Sequence, residues 1–154
     1  MSLKTVNTAL TTAGILFVLW FGLTFVLAPG TIAPTFGLPS WPAGDGGGFL
    51  VLKGVRDVAN ALILGVLLLT GQRRALAWVL LAGSVIPFGD MATVLAHHGS
   101  AGAALGVHGL TGVAMVVTGL LTLRETRRLS GAPTSAPSSA PTSAPVPVPA
   151  RAAG

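Results

Sequence analysis

At 154 residues, 51% hydrophobic and only 8% charged, with a mean hydropathy of +0.78, the chain is too apolar for a soluble globule and has the composition of a single integral membrane domain. The absence of cysteine excludes disulfides, thiolate nucleophiles, Cys-ligated zinc and iron–sulfur clusters. A formal net charge of +5 does not point to nucleic acid, because Lys4, Arg73, Arg74, Arg124, Arg127 and Arg128 flank apolar runs as topology signals and no basic face with interleaved aromatics is present.

Four apolar runs follow in chain order, about 9–28, 49–70, 75–96 and 104–123, each near the roughly 20 residues that a 30 Å hydrocarbon layer requires. They predict an all-α fold, a four-helix integral membrane bundle. Lys4 and the run ending Val26-Leu27-Ala28 resemble a signal peptide, but the run exceeds the usual apolar region of about 7 to 15 residues, so a retained first helix is expected. Ala28-Pro29-Gly30 ends that helix, and the segment up to Gly48, with Pro29, Pro34, Pro39, Pro42 and Trp41, suits an interfacial cap. Gly71-Gln72-Arg73-Arg74 and His97-His98-Gly99-Ser100 are tight turns between helices.

The membrane domain is expected to span residues 1–129. Beyond it, residues 130–154 carry a repeated Ala-Pro-Thr-Ser pattern without large apolar side chains, which predicts a disordered Pro/Ser/Ala-rich tail. Pro133 and Pro137 recur at fixed spacing, a weak signal for a proline-recognition ligand beside the stronger reading of a solvated tail. Heavy use of Ala, Gly, Val, Leu, Pro and Arg beside two lysines is what a GC-rich bacterial genome yields.

If the chain alternates through four spans, the flanking basic residues all fall on one side, which predicts a multi-pass cell-membrane protein with both termini cytoplasmic. Lys53, Arg56, Asp57, Asp90 and His108 then lie in the outer half of the membrane. At 1.5 Å per residue, Asp57, Asp90 and His108 reach a similar depth, roughly 6 to 12 Å. Each charge at such depth costs about 2.5 to 3.5 kcal/mol on insertion scales, so these groups are expected to face the bundle interior.

Lys53 and Asp57 are i, i+4 neighbours, as are Arg56 and Asn60. This pattern predicts a Lys53–Asp57 pair, an Arg56–Asp90 pair between helices, and a His108 that donates to Asp90 or Asp57. Gly89 beside Pro87, and Gly102, Gly106, Gly109 and Gly112 on the fourth helix, are expected to permit close packing. Lys53 is expected to snorkel to the outer interface. His97 and His98 read as solvated, and no histidine pair has helical ligand spacing, so neither a metal nor a cofactor is expected. Asn7, Thr8, Thr11 and Thr12 read as interhelical hydrogen-bonding groups at the other end.

Phe36-Gly37-Leu38-Pro39, Lys53-Gly54-Val55-Arg56-Asp57, Gly71-Gln72-Arg73-Arg74-Ala75-Leu76, Ile86-Pro87-Phe88-Gly89-Asp90 and Val107-His108-Gly109 together resemble the four-helix family catalogued as domain of unknown function 4267, over about residues 5 to 125. That resemblance implies a four-helix membrane fold and marks Lys53, Arg56, Asp57, Asp90 and His108 as its polar positions, with no activity attached. The layout is more distantly similar to DoxX-like bundles, as an analogy of fold only.

Three readings follow for the polar cluster. The first is a structural lock. The second is a non-enzymatic membrane component, binding an apolar small molecule, an ion, a membrane partner or a second copy of the chain, in contact with the lipid bilayer. The third is a compact membrane enzyme in which Asp57 or Asp90 is the general acid, Arg56 orients it and His108 shuttles the proton, for isomerisation, cyclisation or epoxide opening.

Overall fold

The computed structural model describes residues 2–130, with side chains described to residue 127. The Pro/Ser/Ala-rich tail lies outside the described residues. Among the described residues all regular structure is helical: α1 (Leu3–Leu27), α2 (Pro29–Ile32), 3-10 turns at Ala33–Phe36 and Gly44–Gly47, α3 (Gly48–Leu69), α4 (Arg73–Gly83), α5 (Val85–Ala96), α6 (Ala101–Ala103), a π-helical stretch Ala104–Gly109, and α7 (Leu110–Ser130). These form four long helical segments, because α4 continues into α5 and α6 into α7.

Three of the segments, Leu3–Leu27, Arg73–Ala96 and Ala101–Arg127, are long and apolar enough to cross a membrane. Their outward faces carry Leu16, Trp20, Leu23, Trp78, Val85 and Leu110, all exposed, as lipid contact requires. α3 has sufficient length at 22 residues but carries Lys53, Arg56 and Asp57. Its charges, not its length, set it apart.

α1 and α3 make the most extensive helix pair. They touch backbone to backbone: a Cβ added at Gly22 would meet the Gly54 carbonyl oxygen and the Val58 nitrogen at 2.9 Å, and one added at Gly54 would meet the Gly22 oxygen at 2.7 Å. Small residues at a crossing are how helices approach where lipid supplies no hydrophobic driving force.

The break between α4 and α5 falls where proline chemistry puts it. Pro87 has no N–H and its ring clashes with the carbonyl four residues back, that of Gly83, the last residue of α4. Close approach comes from α7 and the π-helical stretch: a Cβ at Gly112 would meet the Phe88 ring at 2.8 Å, and one at Gly109 the Met91 sulfur at 3.0 Å. Gly89 and Gly106 face open space, and Gly102 meets only Ser100 Oγ, at 3.7 Å, so these three do not perform the packing role expected of them. The turn at Gly71 (φ +71°) is the expected hairpin, and its left-handed backbone suits glycine.

The segment after α1 folds back as a cap. Ile32 and Ala33 are buried with Phe25, and the Gly37 carbonyl accepts from the Ser100 N–H at 2.7 Å, tying the cap to the turn before α6.

Candidate functional site: a polar-ended cavity within the bundle

A cavity of about 100 Å³ lies among the long helices, with most of its wall apolar. α1 contributes Phe17, Val18 and Phe21, and the α4–α5 segment contributes Val79 and Ile86. Lys53, Asp57, Asn60, Asp90, His108 and Thr111 supply its polar lining. The ionisable groups that three helices were expected to deliver to one level therefore do share one site.

Helical geometry explains which α3 residues enter it. At about 100° per residue, Lys53, Asp57, Asn60 and Leu64 fall within roughly 60° of one another and make one face. Gly54 turns toward α1, and Arg56, two residues on, lies about 200° further round. Arg56 is exposed and lies outside the cavity lining. No hydrogen bond or ion pair to it occurs among the described residues. The expected Arg56–Asp90 pair is thus absent, and His108 is the group beside Asp90.

Lys53 donates to Asp57 Oδ2 at 2.8 Å, the expected i, i+4 pair. Its ammonium does not snorkel outward. It sits 5.5, 5.1 and 5.2 Å from the ring centroids of Phe21, Phe25 and Phe36. Ring faces attract a cation by their quadrupole, each by about 0.5–1 kcal/mol or more where water is excluded. Phe17, Phe21 and Phe25 recur every fourth residue of α1, so the helical repeat itself builds the aromatic wall.

His108 is buried in the π-helical stretch. Its Nε2 donates to the Phe36 carbonyl oxygen at 2.9 Å, and its ring packs on Phe36 with centroids 4.5 Å apart. A carbonyl oxygen only accepts, so this bond places the proton on Nε2. Nδ1 then faces Asp90 Oδ2 across 3.8 Å, wider than a direct hydrogen bond. Asp90 is the more accessible partner, with 29% of its side chain exposed against 5% for His108.

Asn60 has no side-chain hydrogen bond among the described residues and lines the cavity. Thr111 donates to the Val107 carbonyl at 2.6 Å, which leaves its oxygen able to accept, and the residue lines the cavity. His97 and His98 are exposed at their turn, and no group of three or more His, Cys, Asp or Glu able to hold a metal occurs among the described residues.

Two participants escaped the sequence reading. The Phe36 carbonyl is a backbone group more than 70 residues from His108, and composition carries no sign of it. Glu125 reads as one more charge in a basic helix end, yet it is buried and accepts from Asn7 Nδ2 at 2.9 Å. An acid among Arg124, Arg127 and Arg128 was the available signal.

The sequence profile of the family described as Domain of unknown function (DUF4267) matches residues 15–122. That span takes in every cavity-lining residue and leaves Asn7, Thr11 and Glu125 outside. No curated protein and no solved structure matches the chain.

Proposed function

The chain belongs to the DUF4267 family, and on that footing we propose that it is a four-pass membrane protein whose cavity binds a lipid-soluble small molecule with an uncharged oxygen head group. The observation that carries this reading is the cavity's division into apolar walls and one small polar cluster. In that cluster Lys53 pairs with Asp57 at 2.8 Å, and His108 stands beside Asp90 at 3.8 Å. A charged head group would have to compete with the Lys53–Asp57 pair and would lose its hydration on entry. What remains for recognition is the free Asn60 amide and the Thr111 oxygen, which suit a hydroxyl or carbonyl.

In this reading α3 is the fourth crossing, made tolerable because Lys53 and Asp57 turn inward to each other and to aromatic rings. Both termini lie on the cytoplasmic side, as the flanking basic residues favour. Residues 1–129 form the membrane domain. Cysteines introduced at Ser2 and Ala152 should resist an impermeant thiol reagent in intact cells, and labelling of both would overturn the topology.

The test of binding uses a long-chain alcohol carrying a diazirine. Photolysis should attach it to residues from α1, α3 and the α4–α5 segment that line the cavity. Asn60→Leu should weaken capture, and Met115→Trp, which fills the space, should abolish it while the protein stays folded. Equal labelling of all three proteins would overturn the reading.

A second reading, acid–base chemistry on that head group, is favoured by the fixed orientation of His108. With Nε2 committed to Phe36, Nδ1 and the Asp90 carboxyl are the groups left to exchange a proton with a ligand oxygen, as isomerisation, cyclisation or epoxide opening requires. Asp57, held by Lys53, is the weaker candidate for the acid. Asp90→Asn keeps the shape and removes the proton. A folded, fully functional Asp90→Asn protein in a complementation assay would exclude this chemistry.

A further inference from the structure

At the end of the bundle that holds the N-terminus of α1, a second polar cluster joins three helical segments. Asn7 Nδ2 donates to Glu125 Oε2 at 2.9 Å, and Arg73 Nη2 donates to Thr8 Oγ1 at 2.7 Å. Asn7, Thr11 and Glu125 are 0%, 3% and 6% exposed. Despite that burial, Asn7 Oδ1, Thr11 Oγ1, Glu125 Oε1 and Arg73 Nη1 are buried atoms with no hydrogen-bond partner among the described residues. Glu125 and Arg73 are bound to neighbouring residues of α1, yet form no ion pair within 4.0 Å.

Four buried polar atoms without partners, on residues joined through one turn of α1, are costly to leave unsatisfied. Three of them are oxygens and one is a guanidinium N–H. The cluster's two charges are opposite, so an added ion would leave a net charge at a buried site. A neutral guest that both donates and accepts fits this set. We propose that the cluster is a water-binding site in which one internal water accepts from Arg73 Nη1 and donates to Glu125 Oε1 and to Thr11 Oγ1. Thr11 is i+4 from Asn7 and i+3 from Thr8, so its hydroxyl stands between the Glu125 side and the Arg73 side. Such a water turns two ions that do not touch into one bridged lock across α1, α4 and α7. The site is separate from the cavity and does not rest on the binding function proposed for it.

The test is the thermal stability of the full chain in detergent, for wild type, Thr11→Val, Thr11→Ser, Arg73→Met and the Thr11→Val/Arg73→Met double variant. Valine matches threonine in shape and lacks the hydroxyl. Around a bound water, Thr11→Val should lower Tm, Thr11→Ser should stay close to wild type, and the double variant should fall little below Arg73→Met alone. If Thr11→Val fails to fold while Thr11→Ser folds, that is the same outcome at its extreme. In a dry cluster, removing an unsatisfied hydroxyl leaves Tm unchanged or raises it, which would overturn the proposal. Strict additivity of the two substitutions would do so as well, because Thr11 and Arg73 share no direct bond. A Tm raised by sodium chloride but not by choline chloride would show a cation in place of the water.

Discussion

The two polar clusters of this bundle use similar side chains to opposite effect. Near the cap, Lys53, Asp57, Asp90 and His108 surround free space, and Asp90 faces His108 across 3.8 Å with part of its surface open to the cavity. At the other end, Asn7, Thr11 and Glu125 are closed in by packing. The contrast shows that residue type does not distinguish a site from a lock. What separates them is the volume left beside the polar atoms, and that volume is a property of how the helices meet.

Level with the open cluster, the Gly22–Gly54 crossing holds α1 and α3 together, and it should be the most sensitive point. Gly54→Val places atoms within 2.8 Å of the Phe25 Cβ and the Val26 nitrogen. The expected cost is about 3 kcal/mol, read as loss of folded yield in detergent, and a protein of normal stability would mean that the helices are not in this contact. Next in size, Glu125→Ala should cost about 2 kcal/mol by leaving the buried Asn7 amide unanswered. Asp90→Asn, at the open cluster, should cost under about 1 kcal/mol. Equal losses at the two ends, in thermal or denaturant melts, would erase the distinction between lock and site.

Asn60→Leu should leave stability near wild type but weaken capture of the long-chain alcohol probe by about tenfold, the worth of one hydrogen bond. An unchanged affinity would move the head group elsewhere. Smallest of all, Arg56→Ala should change stability by less than about 0.5 kcal/mol, because the side chain is exposed. A loss above about 1 kcal/mol would return Arg56 to the cluster.

The helices were readable in the sequence because apolar length and turn residues set them locally. Pro87 and Gly71 mark a break and a hairpin that the structure contains. Lys53 and Asp57 were readable as a pair because i, i+4 spacing fixes their proximity within one helix. Asp90 and His108 could be placed at a common depth by counting from helix ends. Their contact depends on rotation about the helix axes, which one sequence leaves open. The same rotation excludes Arg56, whose spacing from Asn60 fitted a ladder equally well. The three-ring surround of Lys53 combines an α1 repeat with Phe36 from the cap, and only folding joins those. Glu125 was hidden because burial, not composition, distinguishes it from its charged neighbours.

The central claim is that the cavity holds a lipid-soluble guest. Native mass spectrometry of the protein released from detergent tests it most directly, comparing wild type with Met115→Trp. The account predicts a small-molecule adduct that survives on the wild-type protein and is lost from the filled variant at equal folded yield. Identical adducts on both proteins, or none on either, would contradict it.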